Sequence, residues 1–307
     1  MNKIKIQAPA TIANLSCGFD VLGLCLNTPY DEIEVIKTSD KKVTLEIIKS
    51  PYDDIPSNPQ ENTGGVPAEL ILKDLNLDFG FNIRIKKGIP LSGGLGSSAA
   101  TAAGVVFAIN ELLDKKLNKK KMIKYALEGE KISVSSAHAD NIVPCLFGGL
   151  TLIRDMDSFD VINIPISEFN IVLIHPHIKI NTEDARNILP KNIKLTSAVN
   201  QWGNLASLVY AFSSNNHDLI KKSMNDGVIE PIRSVLIPGF NTIKDIALKL
   251  GAFGCSISGS GPTIFAITDS SEIANNIGDA SKEYYDLENL DCDIYRPDIN
   301  YGGPVIL

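Results

Sequence analysis

The chain has 307 residues, of which 44% are hydrophobic and 21% charged, values that are typical of a globular protein with one large domain or two ordinary ones. This composition excludes a disordered, collagen-like or coiled-coil protein. The net charge of −7 argues against sequence-independent binding of nucleic acid, which needs a basic surface. No stretch reaches the roughly 18 apolar residues of a membrane span, so we expect neither a nucleic-acid partner nor a membrane partner.

The cysteines and the first residues of the chain predict a cytoplasmic protein. The five cysteines are widely spaced without a C-x-x-C pair, so neither a disulfide framework nor a zinc site is indicated. Pro9, Asn14 and Asp20 interrupt the N-terminal apolar residues, which breaks the pattern of a signal peptide. We expect buried free thiols.

Periodicity predicts an α+β protein. Alternating polar and apolar residues predict strands in the first part of the chain, at 2–8, 31–37, 43–48 and 81–86. A Pro-, Asn- and Gly-rich loop is predicted at 51–67, and helices at 66–75, 98–113 and 119–131. The second part mixes strands at 171–180, 254–258 and 263–267 with helices at 196–213, 217–227, 241–250 and 271–283. Strands followed by grouped helices favour α+β over a doubly wound sheet, with a domain boundary near 155–168.

The segment Pro90–Ala100, PLSGGLGSSAA, is a glycine-rich turn that leads into a strong helix. Its glycines permit positive φ and close approach of the backbone. A helix start carries N–H groups without intrahelical partners at the positive end of the macrodipole, and phosphate is its natural ligand. The hydroxyls of Ser97 and Ser98 are suited to cap the helix, hold phosphate or bind a metal. A plain capped helix is the alternative to a phosphate-binding loop.

Two known phosphate loops fit this segment poorly. No lysine follows the glycines, so it is not the G-x-x-x-x-G-K-[ST] loop. Residues 94–99 match the dinucleotide fingerprint loosely, but the preceding strand alternates polar and apolar residues, unlike a strand buried on both faces. A second helical pattern follows, where a dinucleotide fold needs a strand that ends in an acidic residue. A dehydrogenase is therefore disfavoured.

Two further glycine-containing segments carry polar residues suited to a site. Pro9–Gly23, PATIANLSCGFDVLG, places Asn14 and Asp20 in a loop between two hydrophobic stretches. Their amide and carboxylate suit a polar ligand, although an Asx turn and a helix cap would explain them equally well. Ser256–Pro262, SISGSGP, is a tight turn between two predicted strands. It either brings backbone amides to a ligand or is a simple hairpin.

In their order and spacing, the three segments resemble the three motifs of the GHMP kinases, a family of small-molecule kinases. Within the family, three stretches are similar to the homoserine kinase branch: Pro9–Gly23, HADNIVPCLFGGL at 138–150 and EPIRSVLIPGF at 230–240. The resemblance covers nearly the full length. One departure is Ser16-Cys17, where many relatives have Gly followed by Pro or another small residue. The resemblance implies a two-domain α+β fold, with 1–160 like the second domain of ribosomal protein S5 and 161–307 ferredoxin-like.

The resemblance also implies an activity and a site. The enzyme would transfer a phosphoryl group from ATP to L-homoserine in threonine biosynthesis, as a homodimer, with Mg²⁺ held by Ser98 and Glu130. The implied nucleotide-binding residues are Pro90, Leu91, Ser92, Gly93, Gly94, Leu95, Gly96, Ser97, Ser98, Ala99 and Ala100. The implied substrate-binding residues are Asn14, Asp20, His138, Asn141, Arg186, Arg233 and Gly259. The implied catalytic residues are Asn141, His138 and Thr182.

The residue types agree with a zwitterionic substrate. Guanidinium groups such as Arg186 and Arg233 bind carboxylate bidentately. Asn141 stands where other members of the family have an aspartate proposed as base, and an amide does not usefully accept a proton. We therefore predict no dedicated base, with His138 as the alternative by residue type. Asp140 is expected to point away from the substrate if Asn141 faces it, because adjacent residues do not share a helix face.

Three alternatives stay open at this point. One is another small-molecule kinase of the family, such as a mevalonate-type enzyme, one is a noncatalytic nucleotide-binding protein on the same fold, and the third is the dehydrogenase.

His175 and His177 alternate on a predicted strand and share a face, as a metal pair would, but no cysteine or third histidine lies nearby in the sequence. We expect no metal site at these histidines.

Overall fold

A computed structural model describes residues 1–50, 55–132 and 139–307 of the chain. The described strands are β1 (Lys3–Ala13), β2 (Leu22–Thr38), β3 (Val43–Lys49), β4 (Gly80–Lys86), β5 (Leu150–Asp155), β6 (Asp160–Ile164), β7 (Asn170–Pro176), β8 (Gly254–Ile257), β9 (Ile264–Thr268), β10 (Cys292–Tyr295) and β11 (Val305–Ile306). The described helices are α1 (Gly65–Asp74), α2 (Ser97–Leu112), α3 (Lys119–Glu130), α4 (Ala139–Phe147), α5 (Thr182–Asn187), α6 (Leu195–Ser213), α7 (His217–Ser223), α8 (Glu230–Arg233), α9 (Phe240–Leu250) and α10 (Ser271–Leu287).

The first sheet has the strand order β11-β1-β2-β4-β3, and β5 extends it from β2 to β6. Neighbouring strands are antiparallel except for β3 and β4, which are parallel. Alternation along β1 buries Ile4 and Ile6 on the core face and leaves Lys3 and Lys5 on the outer face. The outer lysines pair with glutamates of β2, so this face is solvated.

The buried helix α2 packs directly on β1 and β2 because its residues are small. Ala99, Ala100, Ala102 and Ala103 are all buried. At Gly104, a Cβ atom would lie 2.6 Å from Ile33 Cδ1 and 2.7 Å from the Cβ of Ala8. The alanine-rich sequence therefore sets how close the helix comes to the sheet, and with it the position of the helix start.

The second sheet has the order β10-β7-β9-β8 and is antiparallel throughout. Helices α9 and α10 pack on it. Ile174, Ile257, Ile264 and Ile277 belong to the core between them. The turn between β8 and β9 reaches back to the first sheet, where the amide of Gly259 donates to the carbonyl of Ala13 (3.3 Å). This hairpin therefore joins the two halves of the fold.

Most predicted elements are confirmed, as is the α+β class, and two are shorter than expected. The strand predicted at 171–180 ends at Pro176, and the helix predicted at 217–227 ends at Ser223. The loop predicted to contain Asn14 and Asp20 is confirmed, since β1 ends at Ala13 and β2 begins at Leu22. The division after residue 160 stays a prediction; β6 and the C-terminal β11 both pair within the first sheet.

Within the described ranges, no helix combines the length and the apolar character that crossing a bilayer requires.

Candidate active site

The glycine-rich segment between β4 and α2 forms an open helix start. Gly96, in the left-handed region at φ 66°, is the N-cap of α2, and among the described residues no side chain caps it. The first N–H groups of the helix have no intrahelical partner, and the macrodipole makes this end positive. Of the three roles considered for Ser97 and Ser98, capping is not used, and Ser97 Oγ donates instead to the carbonyl of Ile89 (3.1 Å). The N–H groups at the start of α2 are therefore available to bind an anion.

The carbonyl groups of the loop are anchored to the scaffold behind it. Gly93 O accepts from Thr263 Oγ1 (2.5 Å), and Gly94 O accepts from Ser258 Oγ (2.6 Å). Leu95 O accepts from the amide of Thr11 (3.2 Å). In a trans peptide the N–H of the next residue points opposite to the carbonyl. The N–H groups of residues 94, 95 and 96 therefore point away from the scaffold, where a phosphate would accept from them.

Two positions in this loop require glycine. A Cβ at Gly94, which has φ 76°, would lie 2.4 Å from the carbonyl oxygen of Ser258. A Cβ at Gly96 would lie 2.3 Å from Thr11 Oγ1 and 2.8 Å from Asn141 Oδ1. Both contacts are too short for any side chain, and positive φ adds strain. The glycines predicted to bind phosphate are thus also the residues that let the loop lie against its supports.

Ser98 and Glu130 meet beside the helix start. The Ser98 hydroxyl donates a hydrogen bond to the Glu130 carboxylate, which is 8% exposed at the end of α3. Burial raises the pKa of Glu130 to about 7, and the hydrogen bond from Ser98 and the charge of Lys87 oppose that rise. Two hard oxygen donors at a phosphate loop fit Mg²⁺, which binds through one or two carboxylates together with substrate phosphates. The described residues hold no group of three His, Cys, Asp or Glu side chains suited to a metal.

The loop after β1 supplies a second polar cluster. Asn14, at φ 71°, donates through Nδ2 to the carbonyl of Gly259 (2.9 Å) and accepts from the amide of Asp20 (3.0 Å). The Asp20 carboxylate accepts hydrogen bonds from both terminal nitrogens of Arg186, at 2.8 and 3.1 Å. The loop, the β8–β9 turn and α5 thus meet at one place. Four predicted substrate-binding residues, from three segments distant in sequence, are brought together here: Asn14, Asp20, Arg186 and Gly259.

Arg233 lies beneath this cluster and is 3% exposed. Its Nε donates to the carbonyl of Ala185 (3.1 Å) and its Nη1 to that of Gly259 (2.9 Å). Burial lowers the pKa of Arg233 to about 10; the neighbouring charge of Arg186 lowers it further, and Asp20 opposes that. A guanidinium has five N–H donors, so these two bonds leave donors for a carboxylate. Asn14, Arg233 and Gly259 line one pocket.

The remaining predicted residues have different outcomes. Asn141 Oδ1 accepts from Thr11 Oγ1 (2.7 Å) and lies against Gly96, at the phosphate loop. Thr182 Oγ1 lies 3.3 Å from Ser260 Oγ, on the β8–β9 turn. His138 lies outside the described residues.

Asp140, expected to point away from the substrate, is buried and interacts electrostatically with Asp20 and Arg186. Asp140 is 4% exposed, and burial raises its pKa to about 7. The charge of Asp20 raises this pKa further, and that of Arg186 opposes the rise. These charges put Asp140 near the candidate substrate cluster, and the direction of its carboxylate relative to a bound substrate stays a prediction.

Comparison with known proteins gives the family. Family models match residues 66–149 as the GHMP kinases N terminal domain and residues 208–287 as GHMP kinases C terminal. The chain is 40% identical to homoserine kinase of Chlorobium phaeobacteroides, over 97% of this chain and 98% of that one. It is also 40% identical to homoserine kinase of Methanococcus vannielii, with 98% of each chain covered. The chain belongs to the GHMP kinase family.

Solved structures agree with this assignment. A crystal structure of homoserine kinase from Cytophaga hutchinsonii has a TM-score of 0.96 and 45% identity, covering 100% of this chain and 98% of that one. The structure of L. major mevalonate kinase in complex with R-mevalonate has a TM-score of 0.73 at 15% identity, covering 96% and 95%, and this likeness shows the fold alone. The fold predicted from the motifs is confirmed. This GHMP kinase is an enzyme that uses ATP.

Sequence reasoning missed a buried ion pair beneath the phosphate loop of this kinase. Lys87 pairs with Asp31 and donates to the carbonyl of Ser97 (3.1 Å) and to Thr101 Oγ1 (2.9 Å). Asp31 also accepts from the amides of Gly88 and Ile89. The signal was present, since Phe81, Ile83, Ile85 and Lys87 alternate on the core face of β4 and just past its end. The pair fixes the first turn of α2 to the strand that precedes the loop.

Phe19 is a second residue that the motifs did not single out. The guanidinium carbon of Arg186 lies 5.3 Å from its ring centroid and that of Arg233 lies 5.1 Å away. Both distances are within the range of a cation–π contact. The ring therefore holds the two arginines at one place although their like charges repel.

Replacing Thr263 by Val is expected to loosen the phosphate loop of this kinase. The Thr263 hydroxyl donates to Gly93 O, so its oxygen accepts from Nδ1–H of His175 (2.9 Å). Burial lowers the pKa of His175 to about 4, which keeps the ring neutral in this role. We expect the free energy of unfolding to fall by about 1–3 kcal/mol and KM for ATP to rise several-fold.

Thr268→Val is the matched control, measured by urea unfolding and steady-state kinetics. Thr268 is also fully buried on β9, and its hydroxyl accepts from the amide of Ser270 (3.3 Å), away from the loop. It should lower stability without changing KM for ATP. An unchanged KM in the Thr263 variant would show that the hydroxyl does not position the loop.

Proposed function

We propose that this kinase phosphorylates the side-chain hydroxyl of L-homoserine with Mg²⁺-ATP, giving O-phospho-L-homoserine for threonine biosynthesis. The assignment of the substrate rests on the cluster of Asp20, Arg186 and Arg233 beside the phosphate loop. It offers guanidinium groups and a carboxylate together, as the α-carboxylate and α-ammonium of an amino acid require. The relatives named homoserine kinase support the same substrate.

The ion pair between Asp20 and Arg186 defines how such a substrate would be bound. Each group neutralises the other, so a ligand with one charge would break the pair and leave a partner uncompensated. A zwitterion supplies a carboxylate to the arginine and an ammonium to the aspartate, so both charges stay paired. The site thereby selects amino acids over alcohols such as mevalonate or galactose.

The chain's own residues position the reactants. The N–H groups of the loop and the start of α2 would bind the phosphates of ATP, and Asn141 beside Gly96 would orient the hydroxyl of the substrate. Ser98 and Glu130 would hold Mg²⁺, which neutralises phosphate charge when bound. Asn141 cannot serve as a base, so we propose that the hydroxyl proton leaves to phosphate or solvent. Thr182, beside Ser260 of the β8–β9 turn, is a further proposed catalytic residue, and His138 keeps the role that the resemblance implies.

A coupled assay of ADP release tests the substrate. L-Homoserine, mevalonate and galactose are compared at equal concentration with the same enzyme and Mg²⁺-ATP. Turnover with homoserine alone supports the proposal, whereas turnover with mevalonate or galactose alone would overturn it. ATP binding without turnover of any of the three would favour a noncatalytic nucleotide-binding protein.

The metal dependence is expected to change with pH. Glu130 binds a cation as the carboxylate, and its pKa is raised to about 7. Below pH 7 protons compete with the metal, so the apparent Kd for Mg²⁺ should rise by about tenfold per pH unit as pH falls to 5. Above pH 8 it should be constant. Titrating Mg²⁺ at fixed ATP from pH 5.5 to 8.5 measures this, and a flat profile would contradict a metal-binding role for Glu130.

We further propose that the protein acts as a homodimer in the cytoplasm. The five cysteines are all buried as free thiols, which suits a reducing compartment.

A further inference from the structure

Helix α6 exposes an apolar stripe that nothing in the described chain covers. Leu195, Val199, Trp202 and Tyr210 are 71%, 54%, 60% and 63% exposed. With the exposed Ala206 they recur at intervals of three and four residues, so they lie on one side of the helix. We call these five residues the α6 face. The outward side of a surface helix normally carries charged and polar residues, so this stripe has the pattern of a contact surface.

The other side of α6 is firmly held, so the stripe does not turn inward. Leu208 and Phe212 are buried in the core of the protein. Gln201 Nε2 donates to the carbonyl of Cys17 (3.2 Å) and to Asp226 Oδ1 (2.9 Å). The α6 face is thus fixed in the orientation that exposes it.

The charges around α6 favour a second copy of the same chain. No charged residue occurs from Leu195 to Asn216, although 21% of the chain is charged. Exposed Lys191 and Lys194 precede the helix, and exposed Asp218 follows it. Two such helices packed antiparallel would place the lysines of one copy beside the aspartate of the other, with their dipoles opposed. A surface that complements itself in this way fits a two-fold contact.

Gly203 lies at the middle of α6, and neither its backbone conformation nor its contacts within the monomer require glycine there. It is exposed, its φ is negative, and a Cβ there would meet no atom within 4 Å. Glycine in a helix interior costs about 1 kcal/mol relative to alanine. A partner helix that crosses at this point would use the missing side chain for close approach.

We propose that the α6 face is the interface of the homodimer, in which two copies of α6 pack antiparallel about an axis near Gly203. The proposal names the surface of the dimer proposed above and does not depend on the substrate. It also places the interface next to the substrate cluster. Gln201 of α6 donates both to the carbonyl of Cys17, in the loop that carries Asn14 and Asp20, and to the carboxylate of Asp226. Asp226 in turn accepts from the amides of Val228, Ile229 and Glu230, at the start of the helix that ends in Arg233.

The test uses the single tryptophan of the chain, Trp202, which lies on this face. Light scattering after gel filtration gives the mass, and acrylamide quenching of fluorescence gives the exposure of Trp202. The wild type is expected at twice 33.2 kDa, with Trp202 protected at high protein concentration and quenched several-fold more after dilution. This dilution series needs no variant.

Val199→Asp is expected to give a monomer in which Trp202 is quenched fully at every concentration. Leu287→Asp, at the end of α10 where Leu287 is 77% exposed, is the matched control and should behave as the wild type. Circular dichroism checks that both variants fold. A monomeric wild type would overturn both the dimer and the interface. A dimer that survives Val199→Asp, or in which Trp202 stays equally quenchable, would overturn the interface alone.

Discussion

Replacing Glu130 by Gln is expected to lower kcat by about a thousandfold at pH 8, because the amide removes the anionic ligand proposed for Mg²⁺. The change keeps the size of the side chain and its hydrogen bond from Ser98. Glu128→Gln is the matched control, since Glu128 lies on the same helix but is 34% exposed and pairs with Lys131. Initial rates over a range of Mg²⁺ concentrations make the comparison. Near-normal rates in the Glu130 variant would refute the assigned role.

A measurement of stability separates this loss from unfolding. Burial raises the pKa of Glu130 from 4.5 to about 7, so its contribution to the stability of the metal-free protein is present below pH 4.5 and lost as pH rises through 7. The shift corresponds to a loss on the order of 3 kcal/mol at pH 8. Gln is neutral at every pH, so the variant does not lose this free energy of unfolding as pH rises. The variant should therefore be at least as stable as the wild type in urea at pH 8 without Mg²⁺, and yet inactive.

The phosphate loop was predictable because its signal is local. Gly94 and Gly96 precede an apolar helix within a few residues, and the same stretch of chain supplies the amides and the helix start. The buried Lys87 could have been found in the same way, from the period-two pattern of β4.

Contacts between distant residues could not be derived from the pattern. Asp20 and Arg186 are 166 positions apart, and Ser98 meets Glu130 only because α2 packs on α3. No spacing of residues in the sequence indicates these two contacts, so their residues are assigned to the site only through the resemblance to the family. The short helices α5 and α8 were missed because four to six residues carry too little periodicity. These two helices nevertheless place Arg186 and Arg233.

Replacing Arg233 by Lys is expected to raise KM for homoserine by about a hundredfold while KM for ATP changes less than twofold. Lysine keeps the positive charge but loses the planar fork that binds a carboxylate bidentately. Alanine is a poorer test, because it would leave the buried carbonyls of Ala185 and Gly259 without their donor and lower stability as well. Arg154→Lys, an exposed arginine on β5 that pairs with Asp160, is the control.

Substrate analogues assign this loss to a group on the ligand. 3-Aminopropan-1-ol is homoserine without its carboxylate, and 4-hydroxybutanoate is homoserine without its ammonium. If Arg233 binds the carboxylate, Arg233→Lys should weaken the binding of homoserine and 4-hydroxybutanoate and leave the binding of 3-aminopropan-1-ol unchanged. Binding is measured as KM for ligands that turn over and as the competitive inhibition constant for those that do not. Asp20→Asn should give the opposite pattern, because Asp20 is proposed to bind the ammonium. Equal losses for all three ligands would mean that Arg233 shapes the pocket without touching the substrate, since a general distortion cannot discriminate between the two ends of a zwitterion.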